Sequence, residues 1–437
     1  MLESKRFYLL YITILLLLFH GCKNASDNRN QVTPGHENIS AGLLQPESFK
    51  HIILTWQGDP RISQAVTWRT EIRISQALAE IAPSDPSPDF GSSARQFTAQ
   101  STMLETDRGA RYYHTVNFTD LRADTLYAYR VDSGKVWSEW FQFRTASDEQ
   151  KDFSFIYLGD AQHDVHSMWS RTIRAAILEA PKARFIIHTG DMVDRRNSEH
   201  QWAEWFEAGG WFLAMVPSIP VAGNHEYKKR GLLEPILSSY WKNQFALPEL
   251  GRKDLDETVY HIDFQGVRIV ALNSNLEIED QAKWLKKLLT KNTSNWTIIA
   301  FHHPIYSSAK GRVNEKLIEH WKPVFEKFKV DLVIQGHDHV YARGRGSCSG
   351  QSGCLVPVYV TSVSGPGMYR LDGRDWMDRA AENTQLFQVI SISGNNLRFQ
   401  SITATGHVYD AFELIKEEQT RLINKLPSNA PDYRFSQ

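Results

Sequence analysis

Phe153-Ser154-Phe155-Ile156-Tyr157-Leu158-Gly159-Asp160 is an apolar, strand-like run that ends in a glycine and a carboxylate. Four later stretches repeat this arrangement and place further potential metal ligands close behind an apolar run. They are Gly190-Asp191-Met192-Val193-Asp194, Gly223-Asn224-His225-Glu226, Phe301-His302-His303-Pro304 and Gly336-His337-Asp338-His339. Because α/β proteins bind ligands in the crevice beyond the carboxyl ends of their strands, we expect these five patches to converge.

Strand-like and helical segments alternate from Phe153 onwards, and short strands return beyond Val356. Five helices are predicted, near Ser167–Glu179, Glu199–Glu207, Glu234–Ala246, Glu279–Leu289 and Asn314–Phe328. This order predicts an α/β sandwich over residues 152–415, in which two mixed β-sheets are flanked by helices. Residues 416–437 are polar and are predicted to form a peripheral C-terminal tail.

Residues 45–147 have a different character, with short alternating strands separated by Gly, Asp, Ser and Pro turns. This spacing predicts an all-β antiparallel sandwich of about 100 residues. The segment Thr119–Val131 and the later Phe141–Thr145 resemble a fibronectin type III-like module. Potential catalytic residues are not concentrated there, so the chemistry is expected in the domain that follows.

The N-terminal residues 1–21 have the form of a bacterial lipoprotein signal peptide. Lys5 and Arg6 precede an uncharged, mostly apolar run, Phe7–Phe19, which is shorter than the roughly 20 residues of a transmembrane helix. The small residue before Cys22 resembles a processing site, after which Cys22 would become the lipidated N-terminus. The alternative is an ordinary cleaved signal. We therefore expect an exported protein, anchored by lipid to a bacterial membrane in the periplasm or at the cell surface.

The polar stretch 22–44 is predicted to be a tether between this anchor and the folded domains. The two remaining cysteines, Cys348 and Cys354, are separated by a Ser-Gly-Gln-Ser-Gly loop. In an oxidising compartment this spacing favours a disulfide over a metal pair, which would need further cysteine partners.

The whole-chain composition limits the classes of partner. The formal net charge is −1, which offers no basic surface for a nucleic-acid backbone, so nucleic-acid binding is not expected. The apolar share of 42% in 437 residues is enough for two or three domains with their own cores.

The ligand types of the five patches suit two metal ions. Ions held about 3.5–4 Å apart need a bridging carboxylate, and Asp191 is the expected bridge because Gly190 lets the backbone approach closely. The other ligands are expected to divide between the ions, with Asp160 and His339 on the first and Asn224, His302 and His337 on the second. Such mixed nitrogen and oxygen donors suit Fe, Mn, Zn or Co, whereas Ca and Mg prefer oxygen alone.

The order and strand context of the patches resemble the calcineurin-like metallophosphoesterase superfamily, and within it the purple acid phosphatase-like members. The resemblance covers roughly residues 152–405, and the preceding β-sandwich matches the domain order of that group. It implies that the metal ligands are Asp160, Asp191, Asn224, His302, His337 and His339. It also implies that His225 supports these ligands or contacts the substrate.

Two positions depart from the family pattern. Asp194 stands where purple acid phosphatases carry the tyrosine that ligates ferric iron, so we do not expect a purple protein, and ferric iron at the first site is disfavoured. Gln162 stands where the superfamily commonly has His and purple acid phosphatases have Gly. Its carbonyl is expected to ligate weakly or to hold a water, and the alternative role of the side chain is a hydrogen bond to a ligand.

Together these features predict a dinuclear metal-dependent phosphoester hydrolase, an acid phosphatase-like phosphomonoesterase acting on a phosphorylated small molecule. A metal-bound hydroxide would attack phosphorus directly, with Asp191 as the catalytic bridge. His225 would stabilise the phosphate oxygens or protonate the leaving alkoxide. His303 and Arg343 are expected to contact substrate, although a structural role, for Arg343 a buried ion pair with a ligand carboxylate, stays open.

Two other functions fit the same residues. A phosphodiesterase or nucleotide pyrophosphatase would use the same fold and ligands, and the width of the pocket would separate it from a monoesterase. A surface-tethered binding protein with structural metals would instead use the sandwich and the Trp-rich segment Trp202–Trp211 to hold a polymer or partner. The complete ligand set argues against this last function, because structural sites rarely need two ions and an open position.

Overall fold

The computed structural model describes residues 50–230, 233–249, 255–345, 357–373, 375–430 and 433. The predicted signal peptide, Cys22 and the tether lie outside the described residues, as do Cys348 and Cys354. Lipidation and the disulfide therefore stay predictions. Among the described residues, the structure contains no helix with the length and apolar character needed to cross a membrane.

The N-terminal domain is a sandwich of two antiparallel sheets, which confirms the predicted all-β fold. Its strands are β1 (Lys50–Thr55), β2 (Gln64–Thr70), β3 (Leu78–Pro83), β4 (Arg95–Thr98), β5 (Gln100–Thr106), β6 (Gly109–Phe118), β7 (Leu126–Val131) and β8 (Phe141–Arg144). One sheet has the order β1-β2-β6-β5 and the other β4-β3-β7-β8. Alternate side chains of the two sheets, such as Trp68 and Tyr129, are fully buried between them.

The second domain combines sixteen strands with six short to medium α-helices within the described residues. Its strands are β9 (Phe153–Leu158), β10 (Ile186–His188), β11 (Ser218–Pro220), β12 (Tyr227–Arg230), β13 (Leu233–Leu237), β14 (Tyr260–Phe264), β15 (Val267–Ala271), β16 (Trp296–Ala300), β17 (Leu332–Gln335), β18 (Tyr341–Gly344), β19 (Val358–Thr361), β20 (Met377–Ala381), β21 (Leu386–Ser393), β22 (Asn396–Thr403), β23 (Val408–Lys416) and β24 (Thr420–Asn424). Its helices are α1 (Ser170–Glu179), α2 (Glu199–Gly209), α3 (Trp241–Gln244), α4 (Ile278–Thr290), α5 (Glu315–His320) and α6 (Lys322–Lys327).

Two seven-stranded mixed sheets form the layers of this domain, as far as the described residues show. Their orders are β11-β10-β9-β21-β22-β23-β24 and β14-β15-β16-β17-β19-β18-β20. In the first sheet β9, β10 and β11 run parallel, and in the second β15, β16, β17 and β19 do. The predicted α/β sandwich of two mixed sheets is therefore confirmed. The parallel strands direct their carboxyl ends to one edge, where the five patches follow.

The C-terminal segment differs from the expected peripheral tail. Residues Thr420–Asn424 form β24, which pairs antiparallel with β23 at the edge of the first sheet. Farther on, the ring of Tyr433 stacks on Tyr409 with centroids 5.4 Å apart. The polar composition of this segment is typical of an edge strand as much as of a tail, since one side of an edge strand faces water.

The predicted helix at Glu234–Ala246 is wrong. The chain instead forms the hairpin β12–β13, followed by the single helical turn of α3. Pro235 lies inside the predicted helix, and a proline in a helix interior removes a hydrogen bond and clashes with the preceding turn. The other four predicted helices are present with shifted ends, and the last one is divided into α5 and α6.

The Trp-rich segment belongs to the core. Trp202 and Trp205 on α2 are fully buried, and Trp205 stacks on Trp169 with ring centroids 5.9 Å apart. Trp211, beyond the helix, is 60% exposed. The interpretation of this segment as a binding surface is therefore wrong for its buried tryptophans, which pack the helix onto the sheets.

Helix α2 also joins the two domains. The ring of His51 in β1 stacks on Phe206 at 4.2 Å between centroids, and the buried Arg69 of β2 forms an ion pair with the buried Glu199. Tyr129 donates a hydrogen bond to the carbonyl oxygen of Ala214 at 2.6 Å. The sandwich is thus packed against the second domain through buried contacts.

We predict that Trp205→Ala lowers the free energy of unfolding by about 3–5 kcal/mol, because it removes a fully buried indole from the aromatic core. Trp211→Ala, the matched control, should change it by less than about 0.5 kcal/mol. Denaturant titration followed by circular dichroism measures both. Equal destabilisation by the two variants would contradict the assignment of α2 to the core.

Candidate metal centre

The five patches follow five strands whose carboxyl ends lie at one edge of the two sheets. Asp160 follows β9, Asp191 follows β10 and Asn224 follows β11, all in the first sheet. In the second sheet His302 follows β16, and His337 and His339 follow β17. The sheet topology therefore brings the five patches together at one edge, as expected.

Four of these side chains stand on residues with left-handed backbone conformation. The φ angles are +45° at Asp160, +51° at Asp191, +72° at His337 and +48° at His339. Non-glycine residues adopt this region in only a few per cent of cases, and such residues cluster at functional sites. Each one turns the chain sharply after its strand, at the edge of the sheets where the ligand clusters form.

Two glycines permit the close approach of these turns. A Cβ at Gly223 would lie 2.2 Å from Oδ1 of Asp191, and a Cβ at Gly190 would lie 2.7 Å from Nδ1 of His302. Gly190 also has a φ of +92°, which L side chains rarely adopt. The expectation that Gly190 lets the backbone approach at Asp191 is therefore consistent with the geometry.

The first cluster of potential ligands comprises Asp160, Asp191 and His339, whose ligand atoms all lie within 4.8 Å of one another. All three side chains are buried. Gln162 lies beside them, with Nε2 at 3.0 Å from Nε2 of His339, while its Oε1 is buried without a hydrogen-bond partner. A 180° rotation of this amide would direct the oxygen at the cluster. The geometry is therefore compatible with Gln162 as a weak metal ligand and with Gln162 as a hydrogen-bond partner of a ligand.

The second cluster comprises His302, His303 and His337, again with ligand atoms within 4.8 Å. Nε2 of His302 lies 3.1 Å from Oδ1 of Asn224 and 3.1 Å from Nδ1 of His337. Nδ1 of His302 faces the carbonyl oxygen of Thr189 at 2.8 Å, and because a carbonyl only accepts, this nitrogen carries a proton. The Nε2 lone pair of neutral His302 is then directed at the cluster, as in metal-bound histidines.

Asp191 lies between the two clusters. Its Oδ2 is 3.1 Å from Nε2 of His302, and its Oδ1 accepts a hydrogen bond from the backbone N–H of His225 at 2.8 Å. Burial alone would raise the pKa of Asp191, but the adjacent His302 holds it below its usual value. Burial would lower the pKa of His302, but the Asp191 carboxylate raises it to about 9.

These pKa shifts indicate that the group of ligand atoms requires a nearby positive charge. Carboxylate oxygens, an amide oxygen and imidazole nitrogens converge, and the group needs positive charge to be stable. A proton on His302 supplies that charge when no cation is bound, and a cation would displace it. Burial, followed by the neighbouring imidazoles, lowers the pKa of His337, so this ring is neutral and its lone pair is available. The residues therefore fit two metal ions of the kind that accept mixed nitrogen and oxygen ligands.

His225 and Asp194 lie at the open side of this centre. Nδ1 of His225 faces the backbone oxygen of Asp194 at 2.7 Å, and the His225 side chain is 31% exposed. The carboxylate of Asp194 lies 3.5 Å from the same Nδ1 and 3.7 Å from Nδ1 of His163. Asp194 is therefore directed at two histidines, and among the described residues it belongs to neither of the ligand clusters.

The two residues expected to contact substrate have different surroundings. His303 is part of the second cluster, its ring centroid lies 4.2 Å from that of His337, and its Nδ1 is 2.8 Å from Oγ of Ser274. Arg343, in contrast, lies in β18 and is only 3% exposed. Its Nε and Nη2 donate to the two oxygens of the buried Asp410 at 2.7 and 3.1 Å. Arg343 therefore forms a buried ion pair, as the alternative expected, but with Asp410 instead of a ligand carboxylate, and this pairing argues against the expected phosphate contact.

Glu226 is the last residue of the third strand-end patch, and its role is not apparent from the sequence. It is fully buried, and its carboxylate accepts three backbone N–H groups, from Asp191, Met192 and Gly223, at 2.8–2.9 Å. It therefore ties the turn after β10 to the turn after β11. Burial, followed by the charge of Asp191, raises the pKa of Glu226 to about 7. The sequence feature that could have indicated this role is an acidic residue two positions after the ligand asparagine Asn224.

Asp338, between two ligand histidines, has a similar function for another loop. It is fully buried, and its Oδ2 accepts from the backbone N–H groups of Ser308 and Ala309 at 2.6 and 3.1 Å. The ring of Tyr369 stacks on His339 at 4.4 Å between centroids. No sequence pattern connects Tyr369 to the five patches, because the contact arises only when the loop after β19 folds over β17.

Two protein-family models match the chain. The model of the calcineurin-like phosphoesterases matches residues 155–341, and that of the purple acid phosphatase N-terminal domain matches residues 49–145. The chain therefore carries a calcineurin-like phosphoesterase domain preceded by a purple acid phosphatase N-terminal domain. The first match contains every strand-end patch from Asp160 to His339, and the second contains the whole sandwich.

Curated relatives are consistent with these two domain matches. The chain is 28% identical over 285 residues to the Fe(3+)-Zn(2+) purple acid phosphatase 12 of Arabidopsis thaliana, with 58% of this chain and 59% of the relative covered. It is 26% identical over 284 residues to purple acid phosphatase 1 of Ipomoea batatas, with 58% and 59% covered. The chain thus spans about three-fifths of the length of these curated relatives.

Solved structures share the fold. A purple acid phosphatase, PPD1 from seeds of yellow lupin (Lupinus luteus), superposes with a TM-score of 0.72 at 18% identity, covering 85% of this chain and 75% of that one. The structure of PhoD superposes with a TM-score of 0.65 at 10% identity, covering 89% and 94%. At such identities the likeness establishes the architecture alone.

We predict that Glu226→Ala weakens metal binding by about 10–100-fold although Glu226 is not a ligand, because three buried N–H groups lose their acceptor and the Asp191 turn is released. Zinc titration against a competing chelator measures the affinity. Glu257→Gln is the control, since burial also raises the pKa of Glu257 to about 7 but its carboxylate lies outside the two clusters. Unchanged affinity in Glu226→Ala would refute this positioning role.

Proposed function

We propose that this chain hydrolyses phosphate monoesters of small molecules at a pair of metal ions, with Fe, Mn or Zn as the candidate metals. The observation that carries the proposal is the position of Asp191 between two clusters of buried ligands, with its Oδ2 3.1 Å from His302. The relatives named above are purple acid phosphatases, which supports the same reaction class.

The residues divide into two sets of ligands in this proposal. Asp160, Asp191 and His339 would hold one ion, with Gln162 beside them. His302, His337 and Asn224 would hold the other, and Asp191 would touch both. When bound, the ions would neutralise phosphate oxygens and lower the pKa of a water molecule so that it can attack phosphorus.

His225 acts on the leaving-group side of the phosphate. Its Nδ1 carries a proton toward the carbonyl oxygen of Asp194, so the other ring nitrogen, Nε2, is left for the substrate. In the protonated ring Nε2 donates to a phosphate oxygen or gives its proton to the departing alkoxide.

Phosphodiester hydrolysis is the second candidate function. The shape of the surface around Asn224 supports it. Two clefts border this residue, with volumes of about 910 and 590 Å³. A diester has two substituents on phosphorus, and each cleft would have room for one. Initial rates with p-nitrophenyl phosphate and bis(p-nitrophenyl) phosphate distinguish the two candidates.

We predict that Asp191→Ala binds fewer than two ions per chain and loses roughly a thousandfold in kcat/KM for p-nitrophenyl phosphate, since several kcal/mol of charge stabilisation depend on both ions. Elemental analysis and a chromogenic assay measure the two effects. Asp263→Ala is the control, because this carboxylate lies in β14 and forms an ion pair with Arg268. Normal turnover by Asp191→Ala would refute the proposed function.

We also propose that the protein is exported and anchored by lipid at Cys22. The basic residues Lys5 and Arg6, the apolar run that follows and the small residue before Cys22 support this proposal. Cys22→Ser should abolish incorporation of radiolabelled palmitate and release the protein from the membrane fraction of a bacterial host. Membrane association that survives the substitution would exclude the lipid anchor.

A further inference from the structure

We propose that the smaller of the two clefts binds a second anionic group on the substrate, so that the favoured phosphoesters carry another phosphate or a carboxylate beyond the leaving oxygen. The proposal rests on the proposed function. We call this space, of about 590 Å³, the basic cleft; its walls include Asp107, Arg195, Arg196, Asn224, His225 and Lys228.

The basic cleft begins at the metal centre. Asn224 and His225 line it, and Asn224 lies 3.1 Å from the ligand His302. His225 is the residue that faces the leaving group in the proposed reaction. A leaving group that passes His225 therefore enters this cleft.

Three cationic side chains line the cleft. Arg195 and Lys228 are exposed, whereas Arg196 is partly buried and donates to the carbonyl oxygen of Leu237 at 3.5 Å. The two carboxylates in the wall already have partners. Asp194 faces His163 and His225, and Asp107 accepts the backbone N–H of Glu199 at 3.0 Å. The wall therefore carries three cations against two carboxylates, and Arg195 and Lys228 are the exposed cations among them.

The loop that carries Arg195 is held in place. Its backbone N–H donates to Oε1 of Gln201 at 2.7 Å, and the next carbonyl, of Arg196, accepts from Nε1 of Trp202 at 2.9 Å. Ser198 caps the eleven-residue helix α2, whose N-terminus faces the same space. A fixed loop and the positive end of a helix dipole both favour an anion there.

The N-terminal sandwich contributes to this cleft. Asp107 lies in the turn between β5 and β6, and its carboxylate fixes the first N–H of α2. The expectation that the sandwich carries no chemistry is therefore incomplete, since its turn helps to shape the wall beside His225.

The larger cleft has the opposite character. Its wall includes Glu277, Glu279, Asp280 and Glu315, with the single lysine Lys316. Lys283 pairs with Glu279 at 3.0 Å and with Asp280 at 3.1 Å, so part of this acidic charge is compensated. The basic cleft, which has more cations than carboxylates on its wall, is therefore the more favourable of the two for an anionic leaving group.

The test measures binding of non-hydrolysable probes to the metal-loaded full chain by calorimetry. Alkylene diphosphonates with linkers of one, two and three carbons are compared with the matching alkylphosphonates, and 3-phosphonopropionate tests a carboxylate as the second group. The variants are Arg195→Gln, Lys228→Gln and their combination. Lys316→Gln is the control, an exposed lysine of the other cleft.

We expect the preference for diphosphonate over phosphonate to fall about threefold to fivefold in each single variant and about tenfold in the double variant, at one linker length at least. Lys316→Gln should leave the preference unchanged. A parallel loss with 3-phosphonopropionate would extend the site to carboxylates, and its absence would restrict the site to phosphate.

An unchanged preference in the double variant at all three lengths would overturn the basic cleft as an anion site, as would an equal loss in Lys316→Gln. Turnover of p-nitrophenyl phosphate by the wild-type chain separates the two proposals. If turnover is present and the preference does not change, the cleft assignment fails alone. If turnover is absent and the preference falls in the variants, the proposed function fails and the anion site stands.

Discussion

The site depends on one constraint, the crowding of ligand atoms with lone electron pairs around Asp191. Asp191 is buried, its Oδ2 lies 3.1 Å from His302, and the ligands of both clusters surround it. Such a group is unstable without positive charge, because burial penalises an isolated carboxylate. The raised pKa of His302 and the proposed pair of metal ions are two ways of supplying that charge.

Holding these groups together requires structure that does not itself bind metal. Glu226 joins the turns after β10 and β11 through three backbone N–H groups, and Asp338 anchors the loop through Ser308 and Ala309. Gly223 leaves the space that Asp191 occupies. The strained, left-handed residues at the strand ends persist because such contacts fix them from several sides.

The surroundings of the centre are asymmetric, and the N-terminal sandwich is part of the reason. Asp107 in its β5–β6 turn holds the start of α2, and the buried pair between Arg69 and Glu199 packs the same helix against the sandwich. The basic cleft has more cations than carboxylates on its wall, and the other cleft has the reverse. In the proposed reaction, the charge of the leaving group therefore decides which of the two clefts is favourable.

The sequence by itself determined the two domains, the strand-end positions of Asp160, Asp191, Asn224, His302, His337 and His339, and the central place of Asp191. Those features are local, since an apolar run followed by glycine and a polar residue predicts a strand end wherever it occurs. Tertiary structure alone decided that Pro235 lies in a hairpin, that Arg343 is held by Asp410, and that Glu226 joins two turns. These outcomes depend on partners distant in sequence or on hydrogen bonds between loops, and no local pattern encodes which buried group an arginine or a glutamate will meet.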